Sequence, residues 1–457
     1  MYSIHAFLLQ KELFRSPEPV KTTVVSSFTD TPALQQIARQ ADSDYILFYT
    51  GTSPIELHPY AIGRMYQIAE SNDGALFYSD YQEIRQGKKI HHPTLEYQTG
   101  SIRNDFDFGQ LLLFRNDSFQ QVVAQMNTDY RFAALYELRL SISRLGKIVH
   151  IPETLYTVQP TDLRLSGEKQ FDYVDPANRE VRLEMEAVCT AHLQAIGAWL
   201  APEFQRIDFG QENFAREASV IIPVRNRKRT IAEAVESALQ QQTDFSFNVI
   251  VVDNHSTDGT GQILTELSRR YPNLIHHIPA STELGIGGCW TEAILLPECG
   301  KFAIQLDSDD LYKDCHVLQR IVDTFYQENC AMVIGSYQMV DFKLEEIPPG
   351  LIAHREWTPD NGRNNALRIN GLGAPRAFYT PVLRQIKFPN VSYGEDYATA
   401  LAISRKYPIA RIYDPLYLCR RWEENSDHDL DIQQLNNYNF YKDKIRTLEI
   451  QARISGK

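Results

Sequence analysis

Short apolar runs alternate with segments of helical periodicity through the second half of the chain. The apolar runs predict strands at 218–223, 247–252, 274–278 and 302–306. Between them, segments such as 230–240 carry apolar residues at three- and four-residue spacing, which indicates helices. Strands that alternate with helices of this length predict an α/β fold with a mostly parallel sheet and flanking helices. In such sheets ligands bind at the carboxyl ends of the strands.

The first half of the chain repeats part of the second half. The segment 145–158 resembles 406–419, and both place a Leu-Tyr pair at the same distance from an Ile-Ser-Arg triplet, at a constant offset of 261 (403 − 142 and 416 − 155). The segment 45–54 resembles 302–311 at an offset of 257 (302 − 45). These offsets predict two tandem related domains, the first truncated at its amino end. Chance similarity between apolar strands is the alternative.

The same patterns divide the chain into four predicted parts. The first domain spans 1–160, a helical linker 161–217, the second domain 218–430 and a C-terminal helix 431–457. The linker contains an amphipathic segment between polar stretches.

Composition excludes several classes of protein. With 43% hydrophobic and 23% charged residues among 457, the chain has the composition of a globular protein, not of a disordered, collagen-like or coiled-coil one. Its apolar runs are far shorter than the ~20 residues that span a bilayer. The first residues lack the basic start and the cleavage site of a signal peptide. We therefore expect a cytoplasmic protein, and a peripheral contact with the inner face of a membrane stays open.

The net charge and the cysteine spacing limit the classes of partner and metal that we expect the chain to bind. The net charge of −12 argues against a nucleic-acid partner, which needs a basic surface. None of the six cysteines forms a C-x-x-C pair, so we expect reduced packing cysteines and no zinc site. A homo-oligomer is neither indicated nor excluded.

Three carboxylates follow the fourth predicted strand, in the run Leu306-Asp307-Ser308-Asp309-Asp310. They repel one another unless a cation neutralises them. Mn²⁺ and Mg²⁺ take oxygen ligands, commonly one or two carboxylates together with substrate phosphates. The run therefore predicts a metal–diphosphate site. An acidic solvated loop is the alternative, which the position after a buried strand disfavours.

Polar residues also follow the other predicted strands. Asp253 ends the second strand, where it can hydrogen-bond a nucleobase or a ribose. Arg225 and Arg227 follow the first strand and can hold a diphosphate or a base; plain surface charge is the alternative. Gly285 lies in the glycine-rich stretch 283–288, where the backbone can approach a ligand closely, although a simple loop has the same composition.

The ordered segments SVIIPVRNR, VIVVDNHSTDGT, QLDSDD and YGEDYATALAISR resemble the family 2 glycosyltransferases over about 218–425. These are inverting nucleotide-sugar enzymes of the Rossmann-like GT-A fold. On the donor side, the resemblance assigns Asp253 to the base or ribose and Gly285 to the glycine loop. It places Pro223, Val224 and Arg225 at the lip around the nucleoside.

The resemblance also assigns the metal site. Asp307 and Asp309 match a D-x-D pair, with Ser308 between them, and this pair holds the donor and a divalent cation, Mn²⁺ or Mg²⁺. In this assignment Asp309 is the metal ligand and Asp307 lies closer to the ribose. His428 is a candidate third ligand, and an ordinary surface histidine is as good an interpretation.

Asp396 matches the general base of the family, and Glu395 precedes it. An inverting transfer needs one carboxylate to deprotonate the acceptor hydroxyl as this attacks the anomeric carbon. Helical spacing over 397–405 places both acids near a helix start, where the dipole favours carboxylates. Plain helix-start acids are therefore the alternative interpretation.

The first copy lacks these residues. The 257 offset pairs Asp307 and Asp309 with Thr50 and Thr52 (307 − 257, 309 − 257). The 261 offset pairs Glu395 and Asp396 with Ala134 and Leu135 (395 − 261, 396 − 261). We therefore expect 1–160 to be a degenerate, non-catalytic GT-A-like domain that shapes an acceptor site or an oligomer interface.

The resemblance implies a metal-dependent inverting glycosyltransferase. Its donor would be a nucleotide sugar, UDP-type by preference, and its acceptor a carbohydrate glycan, a lipid-linked sugar or a protein. Two alternatives belong to other classes. A sugar nucleotidyltransferase would need a glycine-rich loop after the first strand, which 224–229 lacks. A non-catalytic binding protein is disfavoured because all four key aspartates are present.

Overall fold

The computed structural model describes residues 3–159, 179–210, 213–355, 357–422 and 430–456. The chain forms two compact units, Met1–Trp199 with Leu430–Lys457, and Leu200–Asp429. Within the described residues each unit contains one nine-stranded sheet with flanking helices. The predicted α/β class is confirmed.

The first unit is built mainly from short strands and amphipathic helices. Its strands are β1 (Ile4–Leu8), β2 (Phe14–Arg15), β3 (Lys21–Val24), β4 (Tyr45–Tyr49), β5 (Ile55–Leu57), β6 (Gly74–Arg85), β7 (Lys88–His92), β8 (Leu111–Arg115) and β9 (Lys147–Val158). Its helices are α1 (Thr31–Gln40), α2 (Ala61–Glu70), α3 (Asn116–Val123), α4 (Ala134–Leu145), α5 (Arg179–Ala195) and α13 (Ile432–Ile454).

Both faces of this first sheet are buried. Successive side chains of a strand point to opposite faces, and β4 shows the result. Ile46 and Phe48 pack with α1, α3 and α4 residues in one core, whereas Leu47 and Tyr49 pack with α2 residues in another. A strand buried on both faces reads as a continuous apolar run, which explains the composition of β4.

The second unit continues the alternation that the sequence predicts. Its strands are β10 (Ala218–Val224), β11 (Phe247–Asp253), β12 (Leu274–His277), β13 (Phe302–Gln305), β14 (Leu311–Tyr312), β15 (Met332–Val340), β16 (Glu346–Ile352), β17 (Arg376–Tyr379) and β18 (Ile409–Arg420). Its helices are α6 (Ile231–Leu239), α7 (Thr260–Arg270), α8 (Ile286–Leu295), α9 (Val317–Glu328), α10 (Gly362–Asn365), α11 (Thr380–Ile386) and α12 (Glu395–Ser404).

The strand order of the second sheet is β12-β11-β10-β13-β17-β15-β18-β14, and β16 pairs with β15. The first four strands are parallel, as the βα alternation predicts. Strand β17 runs antiparallel to both β13 and β15. The ends of β11, β10 and β13 therefore lie side by side, and the start of β17 faces the end of β13.

Seven consecutive strands have the same order and pairing in the two sheets. The orders β3-β1-β4-β8-β6-β9-β5 and β11-β10-β13-β17-β15-β18-β14 match strand for strand in parallel and antiparallel pairing. Tyr45 of β4 and Phe302 of β13 hold the same ladder position at the offset of 257. Tyr156 and Tyr417 do so at 261. Helices α4 and α12 also begin 261 residues apart (395 − 134).

The chain is shorter between β1 and β4 of the first sheet than between the equivalent strands, β10 and β13, of the second sheet. The segment from β1 to β4 covers 41 positions (45 − 4), against 84 from β10 to β13 (302 − 218). The second sheet carries β12 at its edge, and the first sheet has no strand beyond β3 in the described residues.

The unit boundaries cut through the predicted linker, 161–217. Its helix α5 belongs to the first unit, where Val188, Cys189 and Leu193 are buried, whereas the chain from Leu200 onward belongs to the second. The helix predicted within 431–457 is observed as α13 and is part of the first unit. Its Asp443 is buried and accepts a hydrogen bond from Ser101 Oγ at 3.0 Å.

All six cysteines are free thiols, and Cys189, Cys289, Cys299 and Cys330 are buried. None of the described helices combines the length and the apolar character that crossing a bilayer requires.

Candidate functional site

The candidate site lies at the carboxyl ends of β10, β11 and β13. Hydrogen bonds between the loops hold these strand ends together. Asn254 donates its backbone N–H to Val224 O at 2.8 Å, and Asn226 donates to Ser256 Oγ at 2.9 Å. Thr230 Oγ1 donates to the carbonyl of Ser308 at 2.9 Å. The polar residues that the sequence places after three strands are thereby brought together.

Asp253 is buried at the end of β11 and stays ionised. Its Oδ1 accepts the backbone N–H of Ser256 at 2.9 Å, and its Oδ2 lies 3.4 Å from His276 Nε2 on β12. Burial acts to raise the pKa of Asp253, but the hydrogen bonds from His276 and Ser256 outweigh it, and the pKa lies below the usual range. Asp253 is thus a fixed acceptor with its second oxygen only weakly engaged.

The acidic run after β13 contains three carboxylates in different surroundings. Asp310 is buried, and its Oδ1 accepts the backbone N–H of Arg420 at 2.8 Å, so it anchors β18. Asp307 accepts from Gln305 Nε2 at 2.8 Å, and its own N–H donates to Tyr417 Oη at 2.9 Å. Asp307 and Asp309 are half-buried, so a ligand can still reach them.

Electrostatics make this run costly without a cation. Burial raises the pKa of Asp307, and the charge of Asp309 adds to the rise although the hydrogen bond from Gln305 opposes it. Burial followed by the charges of Asp309 and Asp307 raises the pKa of Asp310 well above its usual range. No group of three His, Cys, Asp or Glu side chains in the described part of the chain could hold a metal ion by itself. Two carboxylates with diphosphate oxygens remain a suitable set for a hard cation.

One arginine and one tryptophan lie next to Asp309, and further arginine–aromatic contacts adjoin them. Its Oδ2 lies 3.1 Å from Trp422 Nε1 and 3.7 Å from Arg227 Nε. The Arg227 guanidinium lies 5.6 Å from the Trp422 ring, and that of Arg229 lies 4.1 Å from the Phe342 ring. Stacking of this kind holds arginines in place over aromatic faces. Asp309 therefore has one arginine, Arg227, and one indole N–H, that of Trp422, as side-chain neighbours.

The start of α12 carries Glu395 and Asp396. Arg376 Nη2 of β17 lies 2.5 Å from Asp396 Oδ2, and the side chain of Asp396 is 23% exposed. Burial and the neighbouring Asp396 carboxylate raise the pKa of Glu395 to about 8. At neutral pH Glu395 is therefore mainly protonated, and Asp396 is the acid of the pair whose charge has a cation partner.

The glycine-rich stretch packs against the segment before α12. Gly285 donates its N–H to Asn390 Oδ1 at 2.8 Å, and Gly287 donates to Val391 O at 3.0 Å. Asn254 Nδ2, next to Asp253, donates to Leu284 O at 2.7 Å. The stretch thus joins the Asp253 region to the segment that leads into Glu395.

The remaining predicted residues are placed as follows. Val224 and Ser308 are buried, Pro223 is half-buried and Arg225 is exposed, all at the ends of β10 or β13. Arg227, not Arg225, reaches Asp309. His428 lies outside the described residues.

Four residues of the site escape prediction from the sequence. Gln305 and Arg376 sit at strand ends as single polar residues, His276 lies within β12, and Trp422 follows β18. The periodicity of the sequence does not mark these residues as part of a site, because each meets its partner only when distant segments pair.

A protein-family model matches part of the second unit. Residues 219–386 match the model of Glycosyl transferase family 2. This part of the second unit is thus similar to family 2 glycosyltransferases, the family that the ordered sequence segments also resemble.

Individual relatives are similar over part of their length. An uncharacterized glycosyltransferase of Nostoc sp. is 32% identical over 123 residues, 27% of this chain and 37% of that protein. A poly(ribitol-phosphate) beta-glucosyltransferase of Bacillus spizizenii is 24% identical over 230 residues, 49% of this chain and 35% of that protein. The chain thus spans little more than a third of the length of these two relatives.

A putative teichuronic acid biosynthesis glycosyltransferase of Bacillus subtilis, TuaG, is 26% identical over 195 residues, 42% of this chain and 74% of that protein. Among solved structures, residues 1–349 of S. aureus TarS in complex with UDP-GlcNAc align with 52% of this chain and 72% of that chain, at 23% identity and a TM-score of 0.40.

Proposed function

We propose that the second unit transfers a sugar from a nucleotide-sugar donor, UDP-type by preference, to an acceptor hydroxyl with inversion at the anomeric carbon. One observation supports this most. An ionised Asp253, the Asp307–Asp309 pair and the Asp396 carboxylate all lie at one edge of the sheet. The family match to residues 219–386 covers the first three of these aspartates.

The proposed chemistry uses each carboxylate once. Asp253 would accept hydrogen bonds from the base or ribose. Asp396 would take the proton of the acceptor hydroxyl while the oxygen–carbon bond to the sugar forms and the bond to the diphosphate oxygen breaks. Glu395, protonated at neutral pH, would act as a hydrogen-bond donor and not as a base.

We propose Asp309 and Asp307 as ligands of a divalent cation, Mn²⁺ or Mg²⁺. The raised pKa of Asp307 and the nearness of Asp309 favour a positive charge between them. When bound, the cation would neutralise the diphosphate of the donor. Arg227, whose Nε lies 3.7 Å from Asp309 Oδ2, would bring a second positive charge to the diphosphate.

The acceptor classes are a carbohydrate, a lipid-linked sugar and a protein. Of these we propose a carbohydrate, namely an anionic glycan polymer. Arg225, Lys228 and Arg229 form an exposed basic loop in a chain whose net charge is −12. Two relatives are named for teichuronic acid biosynthesis and for a poly(ribitol-phosphate) substrate, both of which are polymers. A local basic loop attracts such an acceptor.

We propose that the first unit is a degenerate copy without catalysis. Seven strands of its sheet share the order and pairing of the second sheet. However, Thr50, Thr52, Ala134 and Leu135 stand at the positions of Asp307, Asp309, Glu395 and Asp396. The full-length Asp309→Ala, Asp396→Ala variant tests this. It should have no transfer activity, and residual turnover would assign catalysis to the first unit.

A thermal-shift screen tests the donor class. Wild type and Asp309→Ala are heated with UDP, GDP, dTDP or CMP, with and without Mn²⁺. A ligand at a hundredfold excess over its Kd stabilises by about 2.7 kcal/mol. Stabilisation by one diphosphate, only with Mn²⁺ and only with Asp309, would support the proposal. Absence of any shift would favour a non-catalytic binding protein instead.

A further inference from the structure

We propose that Gln305 and Arg376 form a bridge that positions both carboxylates of the transfer site, Asp307 on the donor side and Asp396 on the acceptor side. This inference rests on the proposed function of the second unit. Arg376 lies outside the segments that carry the family resemblance, Gln305 is the first residue of QLDSDD, and neither needs to touch substrate. Both are positioning residues.

The bridge is a continuous chain of polar contacts. Arg376 Nη2 lies 2.5 Å from Asp396 Oδ2, and Arg376 Nη1 donates to Gln305 Oε1 at 3.1 Å. Gln305 Nε2 then donates to Asp307 Oδ1 at 2.8 Å. A single arginine therefore connects the base at the start of α12 to the D-x-D element after β13.

The orientation of the Gln305 amide follows from its partners. Its Oε1 accepts two hydrogen bonds from Arg376, from Nη1 and from the backbone N–H, both at 3.1 Å. The amide oxygen must therefore face β17, which directs the two N–H groups toward Asp307. Gln305 is 5% exposed, so little room remains for the opposite orientation. Asp307 thus receives a donor whose direction Arg376 determines.

Strand pairing explains why these two residues meet. Ile304 pairs with Ala377 in the antiparallel ladder of β13 and β17, so Gln305 and Arg376 occupy the next positions at the end of that ladder. This is the end of β13 that precedes Asp307. The bridge is therefore built on two paired strands of the sheet.

The first unit lacks the bridge together with the acids. Phe48 and Leu112 form the equivalent ladder pair of β4 and β8, at offsets of 257 and 264 (305 − 48, 376 − 112). Both are buried apolar residues. The polar pair thus occurs in the sheet that has carboxylates to position, and an apolar pair occupies the same place in the sheet that has none.

Kinetics of Arg376→Lys, Gln305→Leu and the double variant test the bridge with the nucleotide sugar that wild type uses. Lysine keeps the charge but lacks the planar fork with which arginine contacts Asp396 and Gln305 from two separate nitrogens. We expect each single variant to lose roughly 10- to 100-fold in kcat, and Gln305→Leu to raise the donor KM as well, because Asp307 lies on the donor side. The double variant should lose little more than either single one, because the two residues act as a unit.

Arg115→Lys is the matched control, since Arg115 lies on β8 of the first unit and donates to backbone carbonyls, among them Gly74 O at 3.2 Å and Ala69 O at 2.9 Å. It should keep the wild-type kcat. Wild-type kcat in Arg376→Lys, or losses that simply multiply in the double variant, would overturn the proposal.

A structural measurement separates this inference from the proposed function. Crystal structures of wild type and Gln305→Leu are compared without any ligand. We expect the Asp307 carboxylate to change rotamer in the variant while Asp396 keeps its contact with Arg376. An unchanged Asp307, or a wild type in which Arg376 contacts neither Gln305 nor Asp396, refutes the bridge even if no nucleotide sugar is turned over. Failure of turnover alone refutes only the proposed function.

Discussion

A Cβ atom on Gly285 would lie 2.6 Å from the backbone carbonyl carbon of Val391, a separation that real Cβ atoms essentially never show. The same is true of Gly287, whose added Cβ would lie 2.0 Å from Pro389 O. The glycine-rich stretch thus owes its composition at least in part to contact with the segment before α12. This contact connects the Asp253 region with Glu395 and Asp396.

Substitution of Gly285 by alanine should therefore destabilise the protein and disturb the site. The neighbouring atoms belong to backbone, which cannot rotate away, so we expect a loss of about 1–3 kcal/mol of unfolding free energy. Denaturant unfolding measures it. Gly371→Ala is the matched control, because a Cβ there meets nothing within 4 Å. Equal stability of the two variants would contradict the close packing.

The unequal protonation of Glu395 and Asp396 predicts unequal effects of removing their charges. Glu395 is mainly protonated at pH 7, since its pKa is raised to about 8, so Glu395→Gln replaces one neutral hydrogen-bonding group by another. Asp396→Asn removes the proposed base, which costs roughly 10²- to 10⁴-fold in kcat. Initial rates of sugar transfer at pH 7 compare the two variants. If Glu395→Gln loses as much activity as Asp396→Asn, the assignment of the base is wrong.

The raised pKa of Glu395 also predicts a pH dependence of stability. An unfolded glutamate titrates near ~4.3, so between that value and about 8 the folded state binds more protons than the unfolded state. Unfolding free energy should therefore fall as pH rises through this window. Glu395→Gln cannot ionise and should flatten this part of the curve. Denaturant unfolding of ligand-free wild type and variant at pH 5 and pH 8.5 makes the comparison. Parallel curves would contradict the raised pKa of Glu395.

Sequence reasoning finds the parts of the fold that depend on local pattern. The apolar runs predict the bounds of β10, β11, β12 and β13 to within a residue or two. This works because a parallel strand that is buried on both faces is an unbroken run of apolar residues. The offsets of 257 and 261 likewise match the registers of the two sheets. Acidic residues at strand ends stand out for the same reason, since charge after an apolar run is unusual.

Such local patterns do not predict contacts between segments that are distant in the sequence. Gln305 and Arg376 are 71 positions apart (376 − 305), and only the antiparallel insertion of β17 brings them together. Trp422 reaches Asp309 from the far end of β18. The glycines of 283–288 are visible in the sequence, but nothing there indicates that their neighbour is the backbone of 389–391.

The last prediction concerns the buried charges of the first unit. Asp443 of α13 lies 3.3 Å from Arg103 Nε and 2.8 Å from Arg446 Nη1, and all three side chains are at most 3% exposed. Asp443→Ala leaves two buried guanidinium groups without this partner, and breaking a buried pair costs about 3–5 kcal/mol. We expect a large fall in the denaturation midpoint of this variant.

An exposed pair of the same unit provides the control for that experiment. Lys147 Nζ lies 3.0 Å from Asp73 Oδ1, and these side chains are 71% and 75% exposed. Water and salt screen such a pair, so Asp73→Ala should keep the wild-type midpoint. If Asp443→Ala also kept it, the buried network would not be what attaches α13 to the first unit. Because α13 follows the second unit in sequence, its attachment would then have to come from apolar contacts such as those of Ile450, which is fully buried.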